Sequence, residues 1–303
     1  MTRLVRRPAA GRAGAGPGTQ AGDAAARADA ASVWDPGLVD GGLDPRAFTD
    51  VAAVVHLAGA GIGDRRWTAA RKAEIRNSRI RGTRALAAGL AGLDKPPSTL
   101  LCGSAIGWYG DTRGREVDES APPGAGFLAD LVRDWEQAAD PARAAGIRTA
   151  HLRSGIVLSP RGGTLGRLVP IFKLGFGIPL GSGDQYMSWI SLADEVGAMR
   201  FLLDRPDVAG PLNLTAPHPV TNSEFTGALN AALGRPPVLR LPVPGLRLPA
   251  SALHVPTPAL RLALGEMSGE LLASAQVLPH RLLEAGYAFQ HADISSALAY
   301  TLS

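Results

Sequence analysis

The chain has 303 residues, and its 31 Lys and Arg against 27 Asp and Glu leave a net charge of +4, with 46% hydrophobic residues; this describes a soluble globular protein large enough for one sizeable core or two modest ones. A single cysteine, Cys102, excludes an internal disulfide, and the six histidines have no paired spacing with cysteine or glutamate, so no metal site is expected. There is no basic-apolar-small leader at the start and no apolar run near the roughly 20 residues that span a bilayer, which points to a reducing cytoplasm and no membrane partner.

In chain order, TRLVRR (2–7) predicts a short strand ending on two arginines, ahead of Pro8. Residues 9–31 are rich in Gly, Ala and Arg and almost free of large apolar side chains, so they cannot bury enough surface to order themselves and are expected to form a flexible loop. SVWDP (32–36) predicts a brief strand, and VAAVVHLAG (51–59) a stronger one ending in small residues. A helix is expected from about Thr68 to Leu90. Residues 64–84 carry eight Lys or Arg against Asp64 and Glu74. Because Ser78, Gly82 and Leu86 share one helical stripe, that excess reads as the solvated basic face of a packed helix; a nucleic-acid patch would need aromatic interleaving.

In STLLCGSAIGWYG (98–110), Leu100, Leu101 and Cys102 between Pro97 and Gly103 predict a strand buried on both faces, as in a parallel sheet covered by helices. Ser104 then stands at the carboxyl end of that strand, where open α/β sheets form their ligand crevice, although a turn or helix-cap role suits a serine there equally well. The glycines that a hydrolase nucleophile elbow needs at 102 and 106 are Cys102 and Ile106. FLADLVRDWEQAA (127–139) has helix spacing at Leu128, Leu131, Val132 and Trp135, and IRTAHLRSGIVLSP (147–160) is a further strand leading to a small-residue turn. This alternation predicts an α/β fold with a Rossmann-like, doubly wound parallel sheet over residues 1–160. Beyond 161 the alternation loosens. GIPLGSGDQYMSWI (177–190) reads as a hairpin around Gly181 to Gly183, PVTNSEFTGALNAAL (219–233) as a helix capped by Thr221 or Asn222 with Glu224 close behind, and the Pro-rich stretch to 258 as connections. A smaller C-terminal substrate lobe is therefore expected over 161–303, its elements free to interleave with the first domain.

The segments HLAGAGIGDRRW (56–67), SRIRGTRAL (78–86), SAIGWYG (104–110), LRSGIVLSP (152–160), PLGSGDQYMSWI (179–190), PVTNSEF (219–225) and VLPHRLLEAGYAF (277–289), in that order, resemble the extended or atypical short-chain dehydrogenase/reductases, and within them the epimerase family proteins of uncharacterised substrate. The resemblance spans about residues 2–303. It implies an NADP-binding Rossmann domain, a small substrate lobe and a family-specific C-terminal segment. It places Leu57, Ala58 and Gly59 on the adenosine side of NADP(H), Gly155, Ile156 and Val157 on the nicotinamide side, and Trp108 and Trp189 at the substrate; packing alone explains Leu57 and Val157 equally well.

Ser104 matches the superfamily's catalytic serine, but the Tyr-x-x-x-Lys pair falls on Phe127 and Leu131, which transfer no protons. Tyr109 is then either a substitute proton donor and acceptor or an aromatic wall of the pocket. The family's G-x-x-G-x-x-G turn also has no counterpart. The chain opens on what looks like the second strand, so one β-α unit of about 30 residues is expected to be missing upstream, through truncation or a mis-assigned start. Arg6 and Arg7, at the end of the strand that normally meets the adenosine ribose, either recognise a 2′-phosphate or are solvated. The implied function is an NADP(H)-dependent oxidoreductase or epimerase acting on a small polar molecule, with the alternative of a nucleotide-binding sensor or scaffold without turnover. No nucleic-acid partner is expected, and a homodimer is compatible with the family.

Overall fold

The computed structural model describes residues 2–6, 30–34, 42–235, 238–240, 247–249 and 254–303. Strands β1 (Thr2–Arg6) and β2 (Ala30–Trp34) pair in parallel, from Thr2 opposite Ala30 to Arg6 opposite Trp34. Of the expected loop, residues 9–29 lie outside the described ones, and residues 30 and 31 belong to β2.

The strand and helix alternation is present: β3 (Ala53–His56), α1 (Ala69–Ala91), β4 (Thr99–Ala105), the short β5 (Glu116–Val117), α2 (Phe127–Gln137), α3 (Asp140–Ala144) and β6 (Arg148–Ser154). The second half supplies β7 (Ile156–Leu158), α4 (Gly163–Lys173), β8 (Tyr186–Met187), β9 (Trp189–Ser191), α5 (Leu192–Leu203) and β10 (Gly210–Leu214). After β11 (Val220–Thr221) and α6 (Asn222–Ala232) come the paired β12 (Val238–Arg240) and β13 (Arg247–Pro249), then α7 (Thr257–Leu264), α8 (Ser268–Leu272), β14 (Gln276–Val277), α9 (His280–Glu284) and α10 (Ile294–Leu302). No described helix is long and apolar enough to cross a membrane.

The central sheet runs β10-β6-β4-β3, all parallel, so β10, from the second half of the chain, extends the sheet built by β3, β4 and β6. Both faces of β4 are covered. Leu100 and Cys102 pack with Leu86, Leu90, Ala142 and Ile147 beneath α1 and α3, while Leu101 packs on the other side with Leu202, Leu212 and Leu282. That double covering is why the strand reads as an unbroken apolar run. Among the described residues β3 pairs only with β4, and the edge-to-face contact of Trp34 with His56, 5.9 Å between centroids, ties the β1-β2 pair to it. A separate core, with Leu158, Phe172, Trp189, Phe225 and Leu298, lies among the elements that follow β6.

Two expectations change. The strand expected over 147–160 divides at Gly155, because Ile156 leaves the central sheet and its N–H donates to Ser188 O at 2.9 Å. A Cβ at 155 would lie 2.7 Å from that same carbonyl, so only glycine fits the crossing. The hairpin expected around Gly181 to Gly183 does not form. Both glycines turn the chain, at φ 60° and 81°, but the flanking edges are taken by distant partners. Gly181 N donates to Val255 O, Ser223 N donates to Gly183 O, β8 pairs with β11, and β9 pairs with β7. The α6 cap is as expected: the Thr221 hydroxyl accepts from Glu224 N, and the Glu224 carboxylate accepts from Thr221 N.

The C-terminal segment is held to α5 by one buried carboxylate. Asp194 Oδ1 accepts from Gln290 N at 2.7 Å and the Tyr287 hydroxyl at 3.1 Å, and Oδ2 accepts from the Ser191 hydroxyl at 2.8 Å and His291 N at 3.0 Å. Each bond to a charged acceptor contributes on the order of 1.5 to 3 kcal/mol, so Asp194→Ala is expected to cost at least about 3 kcal/mol in urea unfolding. A loss under about 1 kcal/mol would show that solvent or neighbouring groups replace these bonds.

Candidate functional site

The register of β4 on β6 sets Ser104 opposite Arg153, under α2 at the carboxyl end of the sheet. The buried Ser104 hydroxyl donates to Glu136 Oε1 at 2.6 Å. Arg153 grips the same carboxylate with two bonds, Nε to Oε1 at 2.8 Å and Nη2 to Oε2 at 2.9 Å. Its guanidinium lies 3.9 Å from the centroid of the Trp108 ring, and its Nη1 donates to the Tyr109 hydroxyl at 3.1 Å. Tyr109 in turn donates to Asn213 Oδ1 at 2.7 Å, and Asn213 N donates to Glu119 at 2.8 Å. Ser104, Glu136, Arg153, Tyr109 and Asn213 thus form one continuous buried chain.

Trp108 and Tyr109 reach it from a 3₁₀ turn, Ile106–Tyr109, that Gly110 closes at φ 60°. Burial pushes the Tyr109 phenol up to about 12, with Arg153 offsetting part of the effect, so near neutrality the proton stays on oxygen and is directed at Asn213. The Ser104 proton is directed at Glu136, which leaves the lone pairs of Oγ free for a donor on a bound molecule.

Sequence reasoning missed Glu136, Arg153 and Asn213. The signal was present for one of them: Glu136 follows Val132 by four residues and so shares the apolar face of α2. Leu57, Ala58 and Gly59 stand exposed at the end of β3, next to β4, while Gly155, Ile156 and Val157 are half-buried beyond β6 on its other side. These two groups flank Ser104. Trp189 is in the core among the elements that follow β6, its indole donating to His218 O at 3.1 Å. Arg6 ends the backbone of β1, and Arg7 lies outside the described residues. Phe127 and Leu131, on which the resemblance puts the Tyr-x-x-x-Lys pair, are packing residues: Phe127 stacks edge-on against Trp67 at 5.1 Å, and Leu131 is buried beside Ile75. The basic helix departs from its expected solvated face, since Arg71 and Arg79 are each only 8% exposed.

Comparison with known proteins decides the family. The NAD dependent epimerase/dehydratase family matches residues 45–214, and a domain of unknown function, DUF1731, matches residues 255–301. The chain belongs to the NAD dependent epimerase/dehydratase family. An epimerase family protein of Mycobacterium bovis is 47% identical over 268 residues, covering 88% of this chain and 83% of its own. The epimerase family protein SDR39U1 of Bos taurus is 36% identical over 272 residues, 88% of this chain and 85% of its own. Among solved structures, human SDR39U1 (isoform 2) with NADPH superposes with a TM-score of 0.77 at 30% identity, over 90% of this chain and 86% of that one.

In this epimerase-family chain the DUF1731 segment also lines an open cleft of about 550 Å³, with Arg261, Glu266, Ser268 and Leu272 together with Asp111. Sequence reading gave no sign of it, because Asp111 and the 261–273 segment that line it are about 150 residues apart in the chain. On the α5 face of the sheet, the Ser154 hydroxyl donates to Glu195 Oε1 at 2.6 Å, while Oε2 is buried and has no partner among the described residues. Burial raises Glu195 from 4.5 to about 7. Between those values the folded chain keeps a proton that the unfolded chain has released, so stability falls as pH rises from about 4.5 to 7 and stays lowered above. Glu195→Gln is expected to flatten that window in thermal melts and to raise stability at pH 8 by on the order of 3 kcal/mol. An unchanged slope between pH 4.5 and 7 would place the titration elsewhere.

Proposed function

We propose that the chain is an NADP(H)-dependent oxidoreductase or epimerase acting on a hydroxyl or carbonyl of a small polar molecule, in the crevice at the carboxyl ends of β3, β4 and β6. The observation that carries this is Ser104 Oγ held at 2.6 Å from Glu136 at that crevice. The human relative solved with NADPH supports the cofactor. The residues fit a dinucleotide: exposed Leu57, Ala58 and Gly59 offer a small, apolar surface on one side of Ser104, and half-buried Ile156 and Val157 offer another for a flat ring.

A bound nicotinamide supplies or accepts the hydride. Ser104 accepts a hydrogen bond from the substrate hydroxyl, or with its hydroxyl rotated donates one to the carbonyl, and Glu136 is the neighbouring group that takes or returns the serine proton. Arg153 fixes the carboxylate, Trp108 covers the guanidinium, and Tyr109 anchors the far end. Trp189 acts from behind, through the packing of the lobe. A cytoplasmic setting suits a buried, lone Cys102.

The test is NADPH consumption with a small-molecule extract of cells. Ser104→Ala is expected to slow it by about 10- to 1000-fold, the range for loss of a polar group at a developing oxyanion, with NADPH affinity unchanged. No consumption by wild type that still binds NADPH would support the sensor reading, which the apolar packing of Phe127 and Leu131 favours. A rate rising toward alkaline pH that Tyr109→Phe abolishes would instead make Tyr109 the proton acceptor.

Cofactor choice rests on Arg6 and Arg7. Replacing both with alanine is expected to weaken NADPH by about 1.5 to 3 kcal/mol and to leave NADH nearly unchanged in a fluorescence titration. Equal losses for the two cofactors would remove the 2′-phosphate from the argument.

A further inference from the structure

The segment matched by DUF1731 reaches the Ser104 chain through one buried amide. The registers of β4 on β6 and of β6 on β10 set Ser104, Arg153 and Asn213 in one row across the sheet. Alternation along β10 turns Leu212 and Leu214 into the apolar core and leaves Asn213 and Thr215 on the other face, both fully buried. Asn213 Oδ1 accepts from the Tyr109 hydroxyl at 2.7 Å, its Nδ2 donates to Leu278 O at 2.9 Å, and its backbone N donates to Glu119 at 2.8 Å. Leu278 lies within residues 255–301, the DUF1731 match.

Donor and acceptor chemistry leaves this row a single arrangement. A carbonyl only accepts, so the Leu278 oxygen holds the amide with Nδ2 toward itself and Oδ1 toward the phenol. A guanidinium only donates, so the Tyr109 oxygen accepts from Arg153 Nη1 and the phenol proton goes to Asn213. That proton is committed to β10, on the far side of Arg153 from Ser104. The 274–278 strap that carries Leu278 is itself pinned. The Ser188 hydroxyl donates to Ala275 O at 2.9 Å and accepts from Val277 N at 2.8 Å, the Thr215 hydroxyl donates to Val277 O at 2.9 Å, and Leu278 N donates to Val117 O at 2.9 Å. Ser188 and Thr215 are buried as well, and buried polar groups that lose their partners are costly, so strap and row hold one register.

We propose that the DUF1731 segment is a positioning element of the reactive site and that Asn213 is the positioning residue through which it acts. The Leu278 carbonyl fixes the Asn213 amide, the amide fixes the Tyr109 phenol, and the phenol holds Arg153 and with it the Glu136 that orients Ser104. The strap does this without touching substrate or cofactor. The proposal rests on the Ser104 crevice being a reactive site, and the experiment separates the two claims.

Isotope-labelled tyrosine is followed by NMR at Cζ, which reports the hydrogen bonding of the phenol; of the four tyrosines, Tyr109→Phe identifies the signal of Tyr109. Asn213→Leu, which keeps the size of the side chain without its amide, is compared with the double variant Ser188→Ala, Thr215→Val, which loosens the strap while leaving Asn213 and Tyr109 in place. Both are expected to move the Tyr109 signal and to leave that of Tyr300, on α10, unchanged. Both are also expected to slow NADPH consumption with a small-molecule extract of cells by roughly 10- to 100-fold at unchanged NADPH affinity, the loss that follows when reacting groups are misplaced. A Tyr109 signal that does not move in the folded double variant overturns the proposal. If Asn213→Leu does not fold, the double variant decides; if the double variant does not fold, Thr215→Val alone decides by the same signal. Movement of the Tyr109 signal in a protein that consumes no NADPH keeps the positioning chain and sinks the oxidoreductase reading. Slowed consumption with a fixed Tyr109 signal does the reverse.

Discussion

The two-pronged bond between Arg153 and Glu136 sets the conditions for everything around it. Taking both ions out of water is expensive, and the cost is met only when the geometry is good and the remaining donors are satisfied. Here they are. Burial opposes the Arg153 charge, yet Glu136 and Tyr109 more than offset it and raise its pKa. The pair requires α2 to lie over β6 at hydrogen-bonding distance, and it requires the 106–109 turn to fold down so that Trp108 and Tyr109 cover the guanidinium. Ser104 is then oriented by a group that is itself immobile. The site is positioned by the same contacts that join strand, helix and turn.

The opposite face of the sheet obeys a different economy of polar groups. Asp194 and Glu195 are adjacent on α5 and both are buried, but Asp194 is saturated by donors from Ser191, Tyr287, Gln290 and His291. Among the described residues Glu195 has Ser154 alone. The first carboxylate locks the C-terminal segment onto α5, and that segment in turn supplies most of the wall of the cleft at Asp111. With Ser154 as its one donor among the described residues, the buried Glu195 carboxylate holds its proton to higher pH.

What was legible in the sequence was what is local. The strand at 99–105, the helices at 69–91 and 127–137, and the capping box at Thr221 follow from patterns within a dozen residues. The hairpin failed because pairing of the 186–191 strands is decided by residues 156–158 and 220–221, which no local pattern reveals. The resemblance singled out Ser104 and Tyr109, and the structure sets them in one hydrogen-bonded chain, but the link between them, Arg153, is distant in sequence. Arg79 was hidden by its own chemistry. Ile75, Arg79, Gly82 and Leu86 are spaced four, three and four apart and so share a stripe, yet an arginine is read as solvent-facing before its phase is considered.

Helical phase also separates the two faces of α2. Phe127, Leu131 and Trp135 recur every four residues along α2, and they turn toward α1 and its loop, meeting Trp67, Ile75 and Thr83. Val132 and Glu136 lie one residue further, about 100° around the helix. From there Glu136 reaches β4 and β6. The face of Phe127 and Leu131 is apolar packing, and the polar group of α2, Glu136, stands on the next face. A carboxylate on that face needs a cation, and Arg153 is the residue whose register on β6 puts it opposite Ser104. The Glu136–Arg153 bond on one side of α2 and the apolar packing of Phe127, Leu131 and Trp135 on the other thus follow from which side of α2 is polar.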